Sequence, residues 1–122
     1  MIKVLLFAYC VASASAALIA QTPDWQPSPG HTQVPIWPGK PPDAVPYGRE
    51  VTTTLQSPGE PPATVVGKVS LPTMTVYSPK GDKTGAAVIV LPGGGYWVLY
   101  MDLEGTEICD WLTAKGVTCV FY

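Results

Sequence analysis

An α/β fold built on a strand–helix–strand crossover is what this 122-residue sequence predicts, and three observations carry the prediction. Ala86–Leu91 and Val117–Tyr122 are continuous apolar runs bounded by turn residues, the pattern of strands buried on both faces. Between them, Asp102–Lys115 places Leu103, Ile108, Trp111 and Leu112 near one helical face, with Glu104, Glu107 and Asp110 largely on others. Strand, helix and strand in that span make a βαβ unit, with parallel strands and a right-handed crossover.

Composition bounds the rest. The net charge is −2, with 13% of residues charged and 47% hydrophobic. Seven basic residues scattered singly offer no phosphate-binding surface, so nucleic acid is not an expected partner. The apolar content excludes disorder of the whole chain. Residues 1–20 read as a secretory signal: Lys3, an apolar run over Val4–Ala12, then small residues. Cleavage falls either at Ala14-Ser15-Ala16 or after Leu18-Ile19-Ala20. The apolar core is well short of the roughly 20 residues a spanning helix needs, so no stable membrane span is expected once the signal is removed. Phe7-Ala8-Tyr9 is a poor approach to a lipidated Cys10. The expected location is secreted or periplasmic.

Residues 21–62 hold eleven of the fourteen prolines and read as an extended arm, through which neither a helix nor a central strand can run. Within it, the apolar cluster Val34-Pro35-Ile36-Trp37-Pro38-Gly39 reads as extended chain or an edge strand. From Ala63 to Tyr122 the chain reads as folded. Thr64–Ser70 and Thr73–Tyr77 are β-branched runs split by Pro72, either two short strands or one bent edge strand. Asp102 is a fair N-cap for the helix and Lys115-Gly116 a stop. Cys109 and Cys119, the cysteines left after signal removal, read first as two small buried hydrophobes, with one bridge as the alternative that an exported compartment permits. No metal site is expected, because the lone His31 has no partner at ligand spacing. Nor does any motif call for a cofactor.

The chemistry is concentrated in Leu91-Pro92-Gly93-Gly94-Gly95-Tyr96-Trp97. Three glycines directly after a buried strand leave backbone N–H groups without side-chain cover, able to converge on one negative oxygen. The P-loop spacing fails because no lysine follows within the loop. The dinucleotide fingerprint fails because Val98 stands where its third glycine belongs. Stabilisation of an oxyanion remains, against the plain alternative of a glycine-rich turn.

Pro92-Gly93-Gly94-Gly95-Tyr96 resembles the PGGGY form of the oxyanion loop in α/β-hydrolase esterases and lipases, in particular secreted proteins similar to acetylxylan and feruloyl esterases. Ile36-Trp37-Pro38-Gly39, Thr73-Met74-Thr75-Val76-Tyr77 and Glu104-Gly105 extend the likeness over residues 34–122. The resemblance implies the N-terminal part of an α/β-hydrolase sheet, short edge strands followed by the βαβ unit, in a truncated domain. It implies that the amides of Gly94 and Gly95 line an oxyanion hole and that Gly93 permits the tight turn. Glu104 either holds the loop amides or serves as a first-turn acid on the helix dipole. Tyr96 and Trp97 either line a substrate pocket or cover the sheet edge. Pro92 departs from the histidine of the related HGGG form and removes a side chain that could brace the loop.

No G-x-S-x-G elbow occurs in the sequence, and Ser57, Ser70, Ser78 and His31 all precede the loop. The expectation is therefore part of a secreted serine ester hydrolase, acting on a small-molecule or carbohydrate ester, with no triad of its own and no activity alone. Two other readings stand beside it: a non-catalytic secreted binding protein with a partial hydrolase-like fold, and a peptidase on the same scaffold.

Overall fold

Seven strands and one α-helix are formed by residues 24–42 and 48–122, the part of the chain that the computed structural model describes. The signal-type segment 1–20 lies outside the described residues. In chain order the elements are β1 (Gln33–Pro35), β2 (Val51–Leu55), β3 (Ala63–Gly67), β4 (Thr73–Tyr77), β5 (Ala87–Val90), β6 (Val98–Tyr100), α1 (Glu107–Ala114) and β7 (Thr118–Phe121). A single π-helical turn, Asp102–Thr106, leads into α1.

Two sheets result. One has the order β1-β4-β7-β5 and the other β2-β3-β6. β5 and β7 pair in parallel, from Ala87 opposite Thr118 to Val90 opposite Phe121, with α1 as the connection between them. The class is mixed α/β, with the strand–helix–strand unit in place and little helix otherwise. The two β-branched runs around Pro72 are separate strands in different sheets. β4 is internal, between β1 and β7, because both of its edges find antiparallel partners. β1 is the edge strand expected over Val34-Pro35.

The helix is shorter than its periodicity suggested. Asp102 is not its N-cap: no side chain caps α1, and the Asp102 carboxylate is drawn across to the second sheet, accepting from Thr64 N at 2.7 Å and Leu103 N at 2.9 Å. The stop at Lys115-Gly116 does form. Gly116 has φ +78°, its N–H donates to Thr113 O and that of Val117 to Leu112 O, a Schellman closure.

Cys109 and Cys119 are bridged, which corrects their reading as free hydrophobes. Both are fully buried, as that reading required, but their Cα atoms stand 5.2 Å apart, within bonding range. The helix rises about 1.5 Å per residue and a strand about 3.3 Å. Seven residues back along the helix and three forward along β7 from Gly116 therefore cover about the same 10 Å, which brings the two thiols level.

The core gathers both sheets and the helix: Val66, Tyr77, Val90, Met101, Phe121 and the cystine. Its disulfide shows which face of the first sheet α1 covers, that of Cys119. The opposite face carries a row across β4, β7 and β5, namely Val76, Val120 and Ile89, of which Val76 and Ile89 are exposed and Val120 is half-buried. Ile89 is 65% exposed and Leu91 68%. Ala86–Leu91 is thus not buried on both faces. It forms the sheet's outer strand, and only Val90 is in the core.

The proline-rich segment is held against this unit. Trp25 packs edge-on to Phe121 with ring centroids 5.7 Å apart. Asp24 accepts from Thr52 N at 2.9 Å, and the buried Glu50 carboxylate accepts from Asp24 N at 2.9 Å and Ser70 N at 3.3 Å. The Thr52 amide bond, reinforced by the Arg49 charge, holds the Asp24 carboxyl below its ordinary value despite some desolvation. β2 lies in this segment as an outer strand on β3, a position open to a chain punctuated by proline.

Candidate active site

β5 runs straight into the glycine loop. Its last residue, Val90, is anchored in the core, and Pro92 and Gly93 end the ladder. Gly94 O then accepts from Trp97 N at 3.1 Å and Val98 N at 3.3 Å, closing a turn with Gly95 at φ +59° and Tyr96 at φ +65°. Positive φ at both central residues is the type I′ signature. Among the described residues Tyr96 is one of two non-glycine residues at positive φ, a conformation that costs about 1 kcal/mol or more outside glycine. Tyr100 N donates to Gly93 O at 3.1 Å, and the exit of the turn pairs with β3 as β6, which sequence reasoning missed.

The π-helical turn places Glu104 against this loop. Its Oε2 accepts from Gly93 N at 2.7 Å. Of the two roles open to Glu104, the geometry shows the contact that the loop-holding role requires. The Gly93 donor is thereby occupied. The amides of Gly94, Gly95 and Tyr96 have no acceptor among the described residues. Gly94, at φ +144°, is packed so closely that a side-chain carbon there would run into the Val98 carbonyl oxygen and stand 2.6 Å from its carbon. Tyr96 is fully exposed and Trp97 87% exposed, so neither covers the sheet edge, and neither borders the two cavities described below.

Asp102 is the residue that sequence reasoning missed as a support. Its bond to Thr64 N is matched by Met101 N donating to Thr64 O at 2.9 Å, a two-way clamp between β3 and the turn that carries Glu104. Thr64 is 38 residues away in sequence, so no local signal marks the pair. Burial pushes the Asp102 carboxyl up, but the amides of Thr64 and Leu103 more than offset this and hold it below its ordinary value of about 3.8. A carboxyl lowered on folding contributes stability that is present above the unfolded-state value and lost as pH falls through the folded one. Asp102→Asn is therefore expected to lower the melting temperature at neutral pH. The difference from the parent chain should shrink below about pH 4. A gap that stays constant to lower pH would contradict the clamp.

The other candidate residues lie elsewhere. His31 stacks on Tyr77 with centroids 4.1 Å apart, and Ser78 lies beside that pair in a groove at the other end of β5. The amide of Ser70 is tied to Glu50. A second cavity, of about 80 Å³, sits between the sheets and is lined by Trp25, Glu50 and Phe121 among others. Among the described residues no three His, Cys, Asp or Glu side chains gather to hold a metal, and no helix is long and apolar enough to cross a membrane.

What fold and loop define is a mixed α/β protein whose outer strand ends in a loop with backbone donors left without acceptors among the described residues. Comparison with protein-family models, curated proteins and solved structures finds no match to this chain.

Proposed function

We propose that this chain carries the oxyanion-binding part of a secreted serine carboxylic-ester hydrolase on the α/β-hydrolase scaffold, acting on small-molecule or carbohydrate esters such as acetylated or feruloylated sugars. The observation that carries the reading is the loop itself: Gly94 and Gly95 present unpaired amides while Glu104 fixes Gly93 beside them. When a nucleophile adds to an ester carbonyl, negative charge develops on the carbonyl oxygen. Donors already aimed at that oxygen stabilise the transition state without reorganisation, each by roughly 2.7–4 kcal/mol. Glu104 is a positioning residue in this scheme, since it touches the loop and not the reacting atoms. The nucleophile, acid and histidine come, on this reading, from residues outside these 122. The buried Cys109–Cys119 bridge supports export, because structural disulfides persist in oxidising compartments.

The test reads the native transcript around these codons and assays the encoded protein on p-nitrophenyl acetate. A G-x-S-x-G elbow, a later aspartate and histidine, and ester turnover are the expected result. A transcript without the elbow, or a product that cleaves peptides and not esters, overturns the proposal.

A further inference from the structure

We infer that the groove at the end of β5 opposite the glycine loop is a binding site for a small hydroxylated carboxylate, a sugar acid by chemical class. The groove encloses about 870 Å³ between the turn after β4 and the last turn of α1. Roughly 20 Å of extended chain separates it from Gly93, so it does not depend on the ester-hydrolase reading.

Among the residues that line it are Lys80, Lys83 and Lys115, Asp82 and Asp110, and His31 stacked on Tyr77. None of these lysines and aspartates is ion-paired among the described residues, where Arg49–Asp24 is the salt bridge formed. Tyr77 contributes to the lining while only 2% exposed, and its hydroxyl is buried without a partner among the described residues. An orphaned buried hydroxyl costs about 1–3 kcal/mol and calls for an acceptor. Burial, then the nearby Asp110 charge, keep the Tyr77 phenol above its ordinary range, so at neutral pH it holds its proton.

The frame is fixed rather than improvised. Thr84 donates to Gly116 O through both its amide, at 2.9 Å, and its hydroxyl, at 3.0 Å, and that hydroxyl accepts from Ala86 N at 3.2 Å. The turn bearing Lys83 is thus tied to the helix end bearing Lys115.

Charge selects the ligand. Three lysines against two aspartates in the lining give a surplus of one formal positive charge, which matches one carboxylate and not a multivalent anion. The two aspartates repel a bare phosphate or sulfate but accept hydrogen bonds from a ligand's hydroxyls. A monocarboxylate bearing several hydroxyls satisfies both sets of groups, and a neutral sugar leaves the ammoniums unanswered.

Glucuronate, glucose and inorganic sulfate titrated into the oxidised chain, followed by amide chemical shifts, test the assignment. Glucuronate is expected to shift the amides of Lys83, Thr84, Lys115 and Gly116 and to bind at least tenfold more tightly than the other two. Lys83→Ala with Lys115→Ala is expected to weaken it about tenfold, the size of a lost charge-assisted hydrogen bond. Tyr77→Phe is expected to weaken it about fivefold without lowering the melting temperature, because it removes a hydroxyl that has no partner. Equal binding of glucose or sulfate, absence of shifts with glucuronate, or unchanged affinity in Tyr77→Phe each overturn the proposal.

Discussion

Gly94→Ala is expected to cost far more than Gly95→Ala, although the two residues are adjacent. A methyl group on Gly94 collides with backbone, the Val98 carbonyl, which cannot swing aside as a side-chain tip can. The backbone there stands at φ +144°, which L-residues rarely adopt. Gly95 sits at φ +59°, where alanine is tolerated at about 1–2 kcal/mol, and its nearest neighbour would be Trp97 Cδ1 at 3.9 Å. Strain of order 1–3 kcal/mol plus the clash puts the loss at Gly94 at roughly 3 kcal/mol or more. If the loop moves to relieve the collision, stability recovers but the bonds from Trp97 N and Val98 N to Gly94 O break. The donors of Gly94 and Gly95 then point elsewhere. Thermal unfolding separates these outcomes from equal effects at the two positions, which would show that the turn is not built as described. In the hydrolase of the proposed reading, the displaced donors lower kcat about 10²–10³-fold, with Gly95→Ala closer to the parent.

The same loop shows what was legible in the sequence. β5, β7 and the helix between them were readable because apolar runs and helical spacing are local, and Gly116 ends the helix by a rule written in one residue. Pro92-Gly93-Gly94-Gly95 marked the loop, and the resemblance to the esterase loop offered Glu104 as its support, with a first-turn acid as the alternative; the Glu104 to Gly93 bond is the contact the first of these needs. β6 was not readable. Val98-Leu99-Tyr100 becomes a strand only because β3 offers an edge, with Val65 opposite Tyr100. β2 likewise exists through β3, from Val51 opposite Gly67 to Leu55 opposite Ala63. Asp102 looked like a cap because acids before helices usually are. Thr64, delivered by the second sheet, offered its carboxylate a better donor. Each of these turned on a partner far away in sequence, which neither propensity nor periodicity reports.

The cystine is the other such pair, and its removal carries the second large effect. Cys109→Ala with Cys119→Ala frees a closure of ten residues' separation, for which chain entropy gives about 3 kcal/mol. The bridge fastens α1 to β7, the strand that joins β4 to β5, and it lies in the core with Tyr77, Met101 and Phe121. A domain of this size has roughly 0.05–0.15 kcal/mol of stability per residue, so about 3 kcal/mol is a large part of the whole. The melting temperature is expected to fall by roughly 15 °C in the double variant. Both sulfurs belong to fully buried residues, so a reductant reaches them only when the chain opens. The oxidised chain is therefore expected to resist dithiothreitol at low temperature and to lose its bridge as it approaches unfolding. Chain made in a reducing cytoplasm should behave like the double variant, and chain exported through an oxidising compartment should not. Melting temperatures within about 2 °C across all three preparations would mean that packing of α1 on β7 stands without the bridge.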